Sequence, residues 1–420
     1  MRKKELISGG LVLLLILSGC TETKNEEKVQ EKEPIVLSVL AGQSTSDAGV
    51  EDMIDEKIAE VFPDVKLEWE CVDWGESFDA KVRARFAAGD IPDIMIGKAQ
   101  DVKTYYSTGN LSAIDAELVE GIKEEALSPV EIGGQYYGLP FNAWYQGVIY
   151  HKEIFRSLGL QTPRTQEEMS FVIKTLEEQG ITPFASHYLE SWKVGNTTMQ
   201  FMINDIFSRN PCWGEDFRRG SVSYSGDEKI AACMQNNMDI LEHSWEDALL
   251  IDQFTCDDRF EQGEAVMYLT GSWSLQFENQ YATDNEYGIF PYPNQEGNSR
   301  LIRETNMTFM KGATTEYPDL VDDILNILIH DSGLMKEILE FTQTYSVREE
   351  TGYDFQSCIQ EDIDYYENSG QIIEAATGNS QLVWAFQNDV AAQELLWLQG
   401  KQTLDEVLQY ADLHRGDSIS

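Results

Sequence analysis

Basic residues are scarce in this chain. Against 73 Asp and Glu, its 420 residues include only 31 Lys and Arg, a formal net charge of −42. Binding to phosphate backbones needs a basic surface, so nucleic acid is excluded as a partner. The acidity reads as a solvated, self-repelling surface that favours solubility rather than as a specific cation site. Cysteine is sparse as well. Cys20, Cys71, Cys212, Cys233, Cys256 and Cys358 include no C-x-x-C or paired Cys/His pattern, which argues against a structural zinc centre. With Cys20 set apart, an odd five remain, and mostly buried free thiols are expected in place of a disulfide framework.

Catalytic signatures are missing too. The sequence has no H-E-x-x-H, no G-x-x-x-x-G-K-[ST] and no G-x-S-x-G. His151, His187, His243, His330 and His414 show no i, i+4 pairing and read as ordinary surface or hydrogen-bonded residues. Carboxylates are too numerous for a glycosidase pair to be singled out. Asp362, Asp364 and Glu367 lack the glycine that a calcium-loop turn demands and read as a charged helical face. The expectation is a protein without enzymatic activity, cofactor or metal.

At the amino terminus the apolar run is short. Leu11 to Leu17 is too brief to cross a bilayer, yet it has the length of a signal-peptide core and follows the cationic Arg2, Lys3 and Lys4. Leu17-Ser18-Gly19-Cys20 then looks like a bacterial lipoprotein processing site. Residues 1–19 are expected to be a signal peptide and Cys20 the lipidated residue. From Thr21 to Pro34 Val29 is the one aliphatic side chain, so residues 20–34 read as a flexible tether. Two acyl chains would hold the protein stably at the extracytoplasmic face of the cell membrane.

What remains is globular in composition: 42% hydrophobic and 25% charged. Its length exceeds what one core usually serves, so two lobes are expected. Ile35 to Ala41, Val65 to Val72 and Ile94 to Ile96 read as buried strands. Val50 to Phe62 and Phe78 to Ala88 read as the helices between them, a rhythm that predicts a parallel sheet. The pattern restarts with a strand at Gly147 to His151. Later helices are predicted around Gln166 to Gln179, Met199 to Phe207, Asp227 to Leu241, Leu320 to His330, Met335 to Thr342 and Val383 to Gln399. Pro140, Pro291 and Pro293 mark expected crossings between lobes. Lobe 1 is therefore set at 35–141 and 291–342, lobe 2 at 142–290 and 343–412, and a tail at 413–420.

Four stretches together resemble the extracellular solute-binding protein family 1, the maltose-binding-like sugar receptors of bacterial ABC importers. They are Phe86 to Ile94 (FAAGDIPDI), Tyr137 to Pro140 leading to Val148 to Thr165, Phe260 to Met267 followed by Gly271-Ser272-Trp273, and Leu398 to Leu408. Their order and spacing cover most of residues 35 to 412. The resemblance implies an α/β, two-lobed periplasmic-binding-protein-like (type II) fold with an interlobe ligand cleft and hinge crossovers. It also implies a carbohydrate ligand, ABC permease transmembrane subunits as partners, and a monomer.

Under that resemblance, Trp273 falls where the family commonly stacks sugar, with Gly271 letting the backbone approach the ligand. Trp384 and Trp192 fall where related receptors place aromatic platforms, although each reads equally well as a half-buried core residue. Trp144, beside Asn142 at the first crossing, either contacts ligand or packs the hinge. Trp74, Gln43 and Asn306 complete the candidate set. Competing readings are a non-sugar solute such as a polyamine, phosphate ester or metal, a surface glycan hydrolase, and a lipid-anchored adhesin or sensory partner.

Overall fold

Alternating β-branched and apolar residues build the first strand, Ile35–Gln43, whose inward side chains Leu37 and Val39 are buried. The computed structural model describes residues 34–43, 48–275, 286–349, 357–376 and 382–418. The signal peptide, Cys20 and the tether up to residue 33 lie outside the described residues. Helix Val50–Val61 follows the first strand and buries Val50, Ile54 and Ile58 on one stripe. Strand Val65–Asp73, helix Glu76–Ala88 and strand Ile94–Gly97 then complete a β-α-β-α-β unit whose strands pair in parallel.

The P-D-I stretch has a structural task here. Gly89 ends the preceding helix in the left-handed region at φ 70°. Four residues on, Asp93 accepts hydrogen bonds at 2.8 Å from both the backbone N–H and the hydroxyl of Ser38, locking the third strand to the first. The sheet is not purely parallel, however. Thr308–Gly312 enters antiparallel beside Ile94–Gly97 and also pairs with Leu111–Ser112 and Leu139–Pro140, because it arrives from the opposite lobe.

The second sheet is organised by one long strand, Asn142–His151, every residue of which is buried. It pairs antiparallel with Ala265–Gly271, Tyr287–Phe290, Leu301–Thr305 and Tyr345–Ser346. Ile372–Glu374 and Thr182–Ala185 add parallel strands at the edges. Helices Ser191–Met202, Glu228–Glu242 and Trp384–Leu398 cover one face. The helix expected at Met199 to Phe207 begins earlier, at Ser191, and finishes in a π turn over Ile203–Phe207.

Three crossings join the sheets: Pro140 to Asn142, Thr305 to Thr308 and Thr342 to Tyr345. The second was expected at Pro291 and Pro293. Those prolines instead interrupt lobe 2 after Tyr287–Phe290, and the chain re-enters the same sheet because Leu301 and Ile302 bury in its cores. Residues 291–305 therefore pack with the second sheet. Cysteine burial also differs from expectation. No disulfide forms among the described residues, but Cys71 and Cys212 are exposed while Cys233 and Cys256 are buried.

Asn142 ties the crossings together from a fully buried position. Its carbonyl accepts from Asn306 N–H at 3.0 Å, its Oδ1 accepts from Met307 N–H at 2.9 Å, and its Nδ2 donates to Thr344 Oγ1 at 2.8 Å. Asn142→Ala leaves the Met307 N–H and the Thr344 hydroxyl buried without these partners. It should destabilise the protein by about 2–3 kcal/mol, read from the urea midpoint.

Glu394 joins the three helices on the covered face, its Oε1 accepting from Thr198 Oγ1 at 2.7 Å and Asn237 Nδ2 at 2.8 Å. Burial pushes this carboxyl up to about 8, against the pull of those two hydrogen bonds. The folded chain therefore keeps a proton that the unfolded chain releases near pH 4.5, so stability falls as pH rises through the window between these values. Glu394→Gln preserves the acceptor oxygen and should flatten that slope. The variant should gain on the order of a few kcal/mol relative to wild type at pH 8 over pH 5, read from paired urea titrations.

Candidate functional site: an interlobe floor of indoles and paired charges

Strand alternation determines which side chains share a face. Along Asn142–His151, Trp144 and Gln146 project to one side and Tyr145 to the other. Antiparallel register sets Glu304 opposite Trp144, and Gly271 opposite Gln146. The short turn Ser272–Leu275 then brings Trp273 back over this corner, edge-on to Trp144 with ring centroids 6.3 Å apart. The Ser272 hydroxyl accepts the Tyr145 N–H at 3.2 Å and anchors the turn.

The sequence predicts that Gly271 lets the backbone approach a ligand, but an indole occupies that space instead. The Trp273 indole itself lies on that glycine, and a Cβ there would sit inside the ring. The same device recurs in lobe 1, where the Trp74 indole covers Gly42 at the end of the first strand. Trp74 also packs edge-on against Phe78 with centroids 5.1 Å apart. Tryptophan and glycine thus form two matched platforms, one per lobe, each half-exposed.

Between the platforms runs a charged path that the sequence did not single out. Lys98, just past the strand Ile94–Gly97, places Nζ 5.8 Å from the Trp74 ring centroid and 2.7 Å from Glu304 Oε1. Gln146 Nε2 donates to the other Glu304 oxygen, and Gln146 Oε1 accepts from Asn196 at 3.1 Å. Burial works against the Lys98 charge, but Glu304, Asp101 and Asp79 more than offset it and hold its pKa above the ordinary lysine value. Asp101 is pushed up to about 7 by burial and by Asp79. Lys98 stands at the carboxyl end of a strand, where open α/β sheets gather ligand groups, and that position was the available signal. Glu304 had none, since its partner is 206 residues away.

The remaining candidates are placed differently. Trp192 and Trp384 begin two helices that run parallel, joined by the Ser191–Asn388 hydrogen bond, the Gly195–Ala391 approach and the Thr198–Glu394 hydrogen bond. Both indoles are half-buried at the amino ends of those helices. Trp192 donates to Glu190 at 3.0 Å and packs 5.3 Å from His187, which burial holds well below the usual histidine range. The Gln43 amide donates to Glu51 at 2.7 Å. Asn306 is buried in the second crossing, and Asn142 uses both ends of its amide within the hinge. A cavity of about 10 Å³, room for one water, lies in lobe 2 beside Gln146, Gln200, Asp205 and Arg300. Among the described residues no His, Cys, Asp and Glu group could hold a metal ion.

The family model for bacterial extracellular solute-binding protein matches residues 41–330. The chain belongs to that family. It is 21% identical over 315 residues to the multiple sugar-binding protein of Streptococcus mutans, covering 72% of each chain. Among solved structures, a chitin oligosaccharide binding protein superimposes with a TM-score of 0.77 at 16% identity, over 92% of this chain and 99% of that one. The solute-binding protein RafE in complex with raffinose gives 0.74 at 16% identity, over 91% and 99%. The fold is thus the two-lobed type II α/β arrangement of solute-binding proteins, with an extracytoplasmic location.

Gly271→Ala tests the platform geometry without touching a polar group. The added Cβ should evict the Trp273 indole and break its edge contact with Trp144, changing the near-UV circular dichroism of the tryptophans. The far-UV spectrum should stay unchanged.

Proposed function

We propose that this protein is the substrate-binding lipoprotein of an ABC importer, taking a sugar or oligosaccharide between its lobes and delivering it intact to permease subunits. The observation that carries the reading is the pair of glycine-seated indoles, Trp74 and Trp273, on opposite lobes, with Trp144, Lys98 and Glu304 between them. Sugars present apolar C–H faces and a rim of hydroxyls. Flat rings take the faces, while fixed donors and acceptors take the rim. The names of the Streptococcus mutans relative and of raffinose-bound RafE support a carbohydrate over other solutes.

Binding without turnover suits this arrangement. Lys98 and Glu304 pair with each other, and nothing in the sequence marks a nucleophile with its base. A ligand touching both lobes favours the closed form only by its differential affinity for that form, which lets permease subunits distinguish loaded from empty receptor. Trp192, Trp384 and Trp144 are proposed to extend the ligand surface. Gln43 and Asn306 would hold the backbone around it, and Asn142 would hold the hinge. The leader ending at Cys20 supports anchoring by lipid at the extracytoplasmic face of the cell membrane, with the receptor acting as a monomer.

Isothermal titration with raffinose, stachyose, chitooligosaccharides, spermidine and a sugar phosphate tests this assignment. One-to-one binding of a saccharide recovered unchanged is expected, with Trp273→Ala weakening it roughly tenfold or more. Exclusive binding of spermidine or of the phosphate, or release of new reducing ends, would sink it.

A further inference from the structure

Strand Leu301–Thr305 carries adjacent opposite charges on opposite faces. Arg303 points away from the indoles and is buried among Glu374 at 3.4 Å, Glu125 at 3.5 Å and Glu367 at 3.7 Å. Glu304 turns the other way, onto the face of Trp144 and Gln146. Its carboxylate is held by Lys98 from lobe 1 and by Gln146 from lobe 2. A carboxylate offers about four lone-pair sites, so those two donors leave acceptor capacity for ligand hydroxyls. The Lys98 ammonium likewise keeps donors in hand after its bond to Glu304.

The balance of charge is equally specific. The groups acting on Lys98 are Glu304, Asp101 and Asp79, three carboxyls around one ammonium. Lys193 is buried in lobe 2 and donates to the Leu269 carbonyl. Arg300 lines the small lobe 2 cavity instead. An acidic ligand would meet a cation already paired to Glu304, with its own carboxylate desolvated, unpartnered and facing the Glu304 carboxylate. Neutral hydroxyls would meet spare donors and acceptors, and an amine would meet favourable potential.

Resting on the carbohydrate reading above, we propose that Glu304, held between Lys98 and Gln146, is the specificity-determining residue of the cleft. It selects uncharged or amino sugars and rejects acidic ones such as uronates and sugar phosphates.

The test uses the full folded chain and four trisaccharide probes: raffinose, triacetylchitotriose, its deacetylated amine form and trigalacturonate. Calorimetry on wild type should show binding of a neutral or amino probe, with trigalacturonate at least roughly tenfold weaker. Glu304→Gln removes the charge at near-constant shape. It should cost roughly tenfold in affinity for the probe that wild type binds and narrow its margin over trigalacturonate. Lys98→Gln, at a partly exposed position in the other lobe, provides a second variant should Glu304→Gln fold poorly, and it should also weaken neutral binding. Glu178→Gln, at the exposed end of a lobe 2 helix, should bind as wild type does. Wild type binding trigalacturonate as tightly as the neutral probes overturns the proposal, as does unchanged affinity in both Glu304→Gln and Lys98→Gln. Wild type that binds no saccharide at all overturns the carbohydrate reading with it, so the two failures are told apart.

Discussion

Three chain crossings that join two lobes must bury their backbone where no sheet continues to pair it. Buried N–H and C=O groups are costly without partners, and an ordinary sheet cannot supply them where the chain leaves one sheet for another. Asn142 resolves the conflict, because a side-chain amide can act as donor and acceptor at once. Its backbone carbonyl and Oδ1 hold the second crossing, and its Nδ2 holds the third. With the crossings bundled at one point, the rest of each lobe can pack as an independent core.

From that bundle the proposed ligand surface follows. The strand that begins at Asn142 carries Trp144 and Gln146 on one face, and the strand that ends at Thr305 brings Glu304 beside them. Residues nearest the hinge line therefore come from strands that cross it, while Lys98 and Trp74 approach from the carboxyl ends of lobe 1 strands. Glycine at positions 42 and 271 gives each platform indole a flat seat, which fixes the ring without a polar anchor. Electrostatics add a second pairing across the lobes on the reverse face, where Lys123 meets Glu367 at 2.8 Å and Glu125 approaches Arg303.

Local signals in the sequence carried far. The first lobe's β-α-β-α-β unit follows from β-branched runs, helical periodicity and the glycine stop at Gly89, all of which act within a few residues. The P-D-I stretch was recognisable as a motif, but its tie to Ser38 spans 55 residues and is invisible without the sheet. Pro291 and Pro293 misled for a related reason. Proline reports that a strand stops, not which sheet the chain joins next, and Leu301 and Ile302 joined lobe 2 through burial against distant residues.

The amino-acid order by itself determined the acidic surface, the lipoprotein-like leader, the family pattern and the strand and helix segments, because charge, periodicity and turn chemistry are properties of neighbouring residues. Tertiary structure alone decided that Asn142 serves the hinge, that Gly271 seats Trp273 rather than ligand, and that Lys98 meets Glu304 between the lobes. Each of those outcomes depends on side chains converging from distant parts of the chain, and a contact across 206 residues is set by packing and register, which no local pattern encodes.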